Sequence, residues 1–202
     1  MYEKNFSTFL FDNKKDNKKS LENAISVIVC AKNEAKNLQE FLPSILDQEY
    51  SDFEVVLIND ASSDETLEVM KSFEVKHNNI KIINVENIEA FWGNKKYALT
   101  LGIKAAKNNH LLFTDADCKP VFKNWIYNMA QNFNKNKTIV LGYGKYKKEK
   151  SIVNLFVRFE TLLTAIQYFS YAKMGSPYMA VGRNLAYDRQ EFFNVKGFIN
   201  HM

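Results

Sequence analysis

The chain has 202 residues, enough for one substantial hydrophobic core and at most a small appendage. With 46% hydrophobic and 25% charged residues it belongs with ordinary globular proteins, not with disordered or collagen-like chains. A net charge of +4 is too mild to point to nucleic acid, and Cys30 and Cys118, without metal-ligand spacing, fit a reducing compartment and not a disulfide scaffold.

The N-terminal residues 1–24 read as a tail: a short apolar patch from Phe6 to Phe11, too short for a signal-peptide core, then a polar, lysine-rich tract. Ile25 to Cys30 is the first predicted strand, and Ala31-Lys32-Asn33-Glu34 leads from it into a helix with Leu38, Phe41, Leu42, Ile45 and Leu46 on one face. Pro43 lacks the N–H that a helix interior needs and is expected to kink or restart that helix. Phe53 to Ile58 is a second strand. After it, Ser62 and Glu65 have the spacing of a capping box that opens a helix running to about His77. Ile80 to Val85 is a third strand. A loop carrying Phe91 and Trp92 then leads to a helix from about Asn94 to Lys107.

Leu111-Leu112-Phe113 form a short apolar run that ends in Asp115-Ala116-Asp117. On an extended backbone these two carboxylates share a side. Trp125, Ile126, Met129 and Phe133 mark a further amphipathic helix, and Thr138 to Leu141 a fifth strand. Strands separated by helices predict an α/β fold with a mostly parallel sheet, in which ligands gather at the carboxyl ends of the strands. Ser151 to Met174 is a long helix with a broad apolar face and a polar stripe of Asn154, Arg158, Thr161 and Tyr168. Arg158 and Glu160 argue against a membrane span, leaving a helix that covers the core or one that lies at a membrane interface, beside the cluster Lys145, Lys147, Lys148 and Lys150. Met179 to Ala186 is expected as a strand, followed by a short helix around Gln190 to Phe193.

Three strand ends therefore converge: Ala31 to Glu34, Asp60, and Asp115 with Asp117. A carboxylate at Asp60 can accept a hydrogen bond from the imide N–H of uracil. Paired acids suit a hard divalent cation that also binds phosphate, and Lys95 or Lys96 can offset charge on the same ligand. Asp-x-Asp alone equally describes a solvated acidic turn. No Gly-rich dinucleotide or P-loop motif is present.

Val27 to Glu34, Val55 to Asp64, Gly93 to Leu99, Phe113 to Asp117 and Val181 to Tyr187 together resemble family 2 glycosyltransferases of the GT-A (Rossmann-like) fold, in order and spacing, from residue 25 to about 199. The resemblance implies a single GT-A domain over residues 25–202 and inverting transfer from a nucleotide-diphosphate sugar, a UDP-sugar for preference, assisted by Mn²⁺ or Mg²⁺. It also implies the site: Ala31 and Glu34 at the base and ribose, Asp60 reading the base, Lys95 at the nucleotide, Asp115 at ribose or metal, and Asp117 on the metal. Arg183, Asn184 and Trp92 would face the sugar or acceptor. Purely structural readings stand beside these, with Glu34 or Asp60 as helix caps, Lys95 as a surface cation and Arg183 as a carboxylate partner.

In that family the catalytic base is an acid following a Gly-Phe pair. Here Gly197-Phe198 is followed only by Ile199 to Met202, so the base is expected beyond Met202 and the C-terminal part of the domain is expected to be missing. The expected partners are the sugar donor, a glycan or lipid acceptor and a membrane surface, with no nucleic acid, at the cytoplasmic face of a membrane. Polysaccharide or glycolipid biosynthesis fits that setting. Two alternatives remain open: a metal-dependent nucleotidyltransferase, and a non-catalytic nucleotide-sugar-binding or membrane-associated module.

Overall fold

All seven residues of Ile25–Ala31 are buried, and only Ser26 among them is polar, as in a strand covered on both faces. In the computed structural model, which describes residues 23–86, 95–134 and 136–199, this segment is β1 of a six-stranded sheet. The other strands are β2 (Phe53–Asp60), β3 (Ile80–Val85), β4 (His110–Asp115), β5 (Ile139–Leu141) and β6 (Leu185–Asp188). The helices are α1 (Ala35–Leu46), α2 (Thr66–Glu74), α3 (Lys95–Ala105), α4 (Trp125–Ala130), α5 (Ile152–Lys173) and α6 (Arg189–Asn194).

The strand order is β3-β2-β1-β4-β6-β5. Strands β1 to β4 are mutually parallel and β6 runs antiparallel to β4. The chain builds outward from β1 to β3, then crosses back to lay β4 on the other side of β1. That reversal is the switch point at which open α/β sheets leave a crevice beyond their carboxyl ends. Alternate residues of β1 feed two hydrophobic layers. Val27 and Val29 pack with α1, α2 and α4 through Leu38, Leu42, Val69, Met70 and Ile126, while Ile28 and Cys30 pack with α3 and α6 through Ala98, Ile103 and Phe192. Gly102 lets α3 lie close on the sheet, since a Cβ there would meet Ile58 Cδ1 at 2.2 Å.

The described residues fall into two compact units: 23–140 with 182–199, which holds the sheet up to Val140, and 141–181, which contains α5. No helix among the described residues is long and apolar enough to cross a membrane. The N-terminal residues 1–22, including most of the predicted tail, lie outside the described residues.

Five local expectations are corrected. Helix α1 does not restart at Pro43 but continues to Leu46, with Leu42 and Ile45 buried in the core and Asp47 N–H bonding the Pro43 carbonyl at 2.9 Å. Ser62 and Glu65 do not form a capping box: the Glu65 side chain makes no cap bond to α2, and Ser62 Oγ instead accepts from Asn33 N–H at 3.0 Å. The helix at Trp125 stops at Ala130, and turns carry the chain on to a buried Phe133. The strand expected from Met179 begins only at Leu185, after a 3₁₀ turn over Gly182–Asn184. Leu185 pairs with Phe113, and β4 ends two residues later, so earlier residues would have little edge to pair with.

The fifth correction concerns α5. Its large apolar residues do not cover a core: Ile152, Leu155, Phe156, Phe159, Leu162 and Leu163 are exposed, whereas Ala165, Tyr168 and Ser170 are buried. The polar stripe lies on the less exposed side, where Asn154, Thr161 and Tyr168 find partners within their own unit. Tyr168 Oη donates to the Gly142 carbonyl at 2.9 Å, and Asn154 bonds the backbone of Lys147 and Glu149 at 3.0 Å.

Candidate functional site

The site grows from the loops leaving β1, β2 and β4. After β1 the chain turns at Asn33, whose φ of 58° lies in the left-handed region that Asn tolerates better than most residues. After β2 it turns at Ala61, φ 49°, where a Cβ makes that conformation costly; such strain next to a strand end is common at ligand sites. The two turns are laced together. Asn33 Oδ1 accepts from Ser63 N–H at 2.8 Å, Thr66 Oγ1 accepts from Glu34 N–H at 2.8 Å, and Asp64 accepts from Ala35 N–H at 3.4 Å. Asp64 also accepts from both the backbone N–H and the hydroxyl of Thr66, and the hydroxyl bond foremost holds its carboxyl below the ordinary carboxylate range. Beneath them Asn59 Nδ2 donates to Asn84 Oδ1 at 2.7 Å and Asn59 Oδ1 accepts from Ser62 N–H at 3.3 Å, fixing the turn that carries Asp60.

Asp60 is buried at the last position of β2. It caps no helix, since Asp64 takes the Thr66 N–H that opens α2. Across β1, Asp115 ends β4 opposite Cys30. With strands about 4.8 Å apart, Asp60 and Asp115 stand about 10 Å apart across the sheet and two residues out of step along it, roughly 12 Å in all. The Cys30 thiol reports their joint field. Burial first, and then the Asp60 charge, push it up to about 12, with Asp115 adding and Lys95 opposing.

Asp115 and Asp117 do not share a side through an extended strand, as the spacing suggested. The strand ends at Asp115, and Cys118 N–H donates to the Asp115 carbonyl at 3.1 Å, closing a turn. The turn achieves the same result: ligand atoms of Asp115, Asp117 and Cys118 all lie within 4.8 Å of one another. Cys118 Sγ is 3.4 Å from Asp117 Oδ1 as an S–H donor, and burial, then Asp117, push the thiol up to about 12. It is therefore a neutral neighbour, and the hard ligands in the group are the two carboxylates. Their oxygen chemistry fits Mn²⁺ or Mg²⁺.

Lys95 Nζ donates to Asp115 Oδ1 at 2.9 Å. Burial works against the ammonium charge, but the bond and field of Asp115 outweigh it and raise the Lys95 pKa. Lys95 is thus a standing cation beside the acids. Glu34 sits at the N-cap of α1 without capping it; its carboxylate accepts from Asn37 Nδ2 at 2.5 Å. Ala31 is buried in the core at the end of β1, so its side chain is not offered to a ligand. Glu34, Asn33 and Asp64 line an open cleft of about 700 Å³.

Because β6 enters opposite Phe113, the turn holding Arg183 and Asn184 stands at the same end of β4 as Asp115. Asn184 Oδ1 accepts from Trp125 Nε1 at 3.0 Å, which orients the amide. Asp188 pairs with His110 at the opposite end of β4, and Glu191 follows it on α6, so neither acid reaches the site. Trp92 lies outside the described residues. Sequence reading missed Asn33, Asp64 and Thr66 as the lacing between loops, and took Trp125 only as packing surface. The lacing depends on pairing residues from two loops, which no local pattern reveals.

Comparison with known proteins gives an independent view of this arrangement. The model of the family described as "Glycosyl transferase family 2" matches residues 26–195. The chain is 31% identical to poly-beta-1,6-N-acetyl-D-glucosamine synthase of Staphylococcus epidermidis over 131 residues, 64% of this chain and 30% of that protein. It is 30% identical to glycosyltransferase GlyG of Streptococcus pneumoniae over 133 residues, 65% of this chain and 42% of that one. The match thus spans less than half the length of these curated relatives. Among solved structures, mannosyltransferase PcManGT of Pyrobaculum calidifontis, in complex with GDP-Man and Mn²⁺, aligns with a TM-score of 0.69 at 20% identity, over 92% of this chain and 52% of that one; at that identity the likeness is one of fold.

Proposed function

Since the chain belongs to glycosyl transferase family 2, we propose that it binds a nucleotide-diphosphate sugar, a UDP-sugar for preference, across the carboxyl ends of β1, β2 and β4. The sugar passes with inversion to a hydroxyl of a glycan or lipid acceptor. The observation that carries this reading is the grouping of Asp115 and Asp117 within 4.8 Å, with Lys95 at 2.9 Å from Asp115, at the switch point of the sheet.

Each residue then has a role set by its surroundings. Asp60, buried and fixed by the Asn59 turn, accepts the imide N–H of the base, a bond that a cytosine or a purine without that donor does not return. Glu34 and the Ala31 backbone border the base and ribose. Lys95 turns from Asp115 toward the diphosphate and offsets its charge. Asp117 and Asp115 would hold Mn²⁺ or Mg²⁺; when bound, such an ion neutralises the negative charge that builds on the departing nucleoside diphosphate. In the transfer itself the acceptor oxygen bonds to the anomeric carbon from the face opposite the leaving oxygen. The anomeric C–O bond breaks toward the diphosphate as a base takes the hydroxyl proton. Arg183 and Asn184 border the sugar, with Trp125 holding the Asn184 amide in place. Asp188 and Glu191 do not supply the base, being at the wrong end of β4.

The reading is tested by calorimetry of the chain with UDP-, GDP- and CDP-sugars in the presence of Mn²⁺. Preferential binding of a UDP-sugar, weakened by Asp117→Asn, supports it. No binding of any donor would end it.

A further inference from the structure

The unit of residues 141–181 has a feature that sugar transfer does not use. On α5, Ile152, Leu155, Phe156, Phe159, Leu162 and Leu163 recur at intervals of three and four residues, the spacing of one helical face. In a soluble protein that face would be turned inward. Here it is turned outward, with Phe156 67% and Phe159 63% exposed. The inward side carries Asn154, Thr161, Tyr168 and Ser170, each hydrogen-bonded within the unit.

The strip that bonds Asn154 among those inward groups is itself distinctive. It reads Tyr143-Gly144-Lys145-Tyr146-Lys147-Lys148-Glu149-Lys150, and all four lysines and both tyrosines are exposed. Its backbone is tied to the N-terminal half of α5 through Asn154, which bonds Lys147 and Glu149. A cationic, tyrosine-bearing strip is therefore fastened to the polar side of a helix whose other face is apolar and exposed. We propose that this surface docks on an anionic lipid bilayer, with α5 lying in the interface plane and its apolar face among the acyl chains. The residues from Ile152 to Leu163 extend about 18 Å at 1.5 Å per residue, suited to lying flat and too short to span. Lysines complement anionic headgroups, and aromatic rings with a polar tip favour the headgroup level. Residues 141–181 hold only two carboxylates, Glu149 and Glu160, so a second copy seated on the same face would offer the lysines little opposite charge. The bilayer is the better complement.

The test is co-sedimentation of the full 202-residue chain with vesicles of phosphatidylcholine alone or mixed with phosphatidylglycerol. Binding is expected to the anionic vesicles only, and to weaken at high salt. Lys147→Gln with Lys148→Gln should lower the partition coefficient by roughly fivefold per lysine, about 25-fold in all. Phe156→Glu with Phe159→Glu, checked for intact fold by circular dichroism, should abolish it. Absence of sedimentation with anionic vesicles overturns the proposal. So does binding indifferent to both pairs of substitutions. Self-association in sedimentation velocity that disappears in the Phe pair, without lipid binding, would assign the face to a second copy instead.

Discussion

Replacing Lys95 by Met separates the two roles its ion pair could have. Lys95 and Asp115 meet at 2.9 Å, but their side chains are 57% and 40% exposed, so solvent screens the pair heavily. A pair of this kind contributes about 0 to 1 kcal/mol to stability, and Met matches Lys in helix propensity, so α3 keeps its start. The pH dependence follows from the raised Lys95 pKa. The pair's contribution is complete below the ordinary lysine value and is lost only as pH rises through the higher folded value, so at neutral pH it is fully present. A charged hydrogen bond to phosphate is worth more, about 1.5 to 3 kcal/mol, or roughly 10- to 100-fold in affinity. Lys95→Met should therefore leave thermal unfolding nearly unchanged while weakening UDP binding at least tenfold by calorimetry. A loss of more than about 2 kcal/mol in stability with UDP affinity intact would show that Lys95 is a structural clamp, and the reasoning would fail.

Asp60→Asn replaces the pure acceptor by an amide and should cost UDP roughly tenfold in affinity while narrowing its margin over CDP, read by thermal-shift titration of the four nucleoside diphosphates. Equal affinities in the wild type would remove the base-reading role. Gly102→Ala gains helix propensity but drives a Cβ to 2.2 Å from buried Ile58 Cδ1; a net loss of about 1 to 3 kcal/mol is expected in urea unfolding, and no loss would mean that α3 can shift freely. The lowered Asp64 pKa stabilises the laced loops above the ordinary carboxylate range, and that support is lost as pH falls through the lowered value. Asp64→Asn should accordingly show a shallower fall in melting temperature than the wild type as pH drops below the ordinary carboxylate range of about 4.

The parallel core was legible in the sequence because β1, β2 and β4 are continuous apolar runs whose burial leaves little choice. Asp60 and Asp115 stood out for the same reason, each being the first acid after such a run. What was not legible depends on contacts distant in sequence. Nothing local says that Ser62 would bond Asn33 instead of capping α2, or that the entry of β6 would stop at Leu185 because β4 offers little edge further on. The orientation of α5 was misleading for a deeper reason: periodicity locates an apolar face but not the direction in which it points. Asn184 matched the family motif, yet its orientation by Trp125 required the fold to bring residues 59 positions apart together.

The central claim, that metal and nucleoside diphosphate share one site at the carboxyl ends of β2 and β4, is tested most directly by calorimetry of UDP with and without Mn²⁺. The wild type should bind UDP at least tenfold more tightly with Mn²⁺, and Asp117→Asn should lose that gain while keeping its metal-free affinity. Mn²⁺ enhancement that survives in Asp117→Asn would contradict the account.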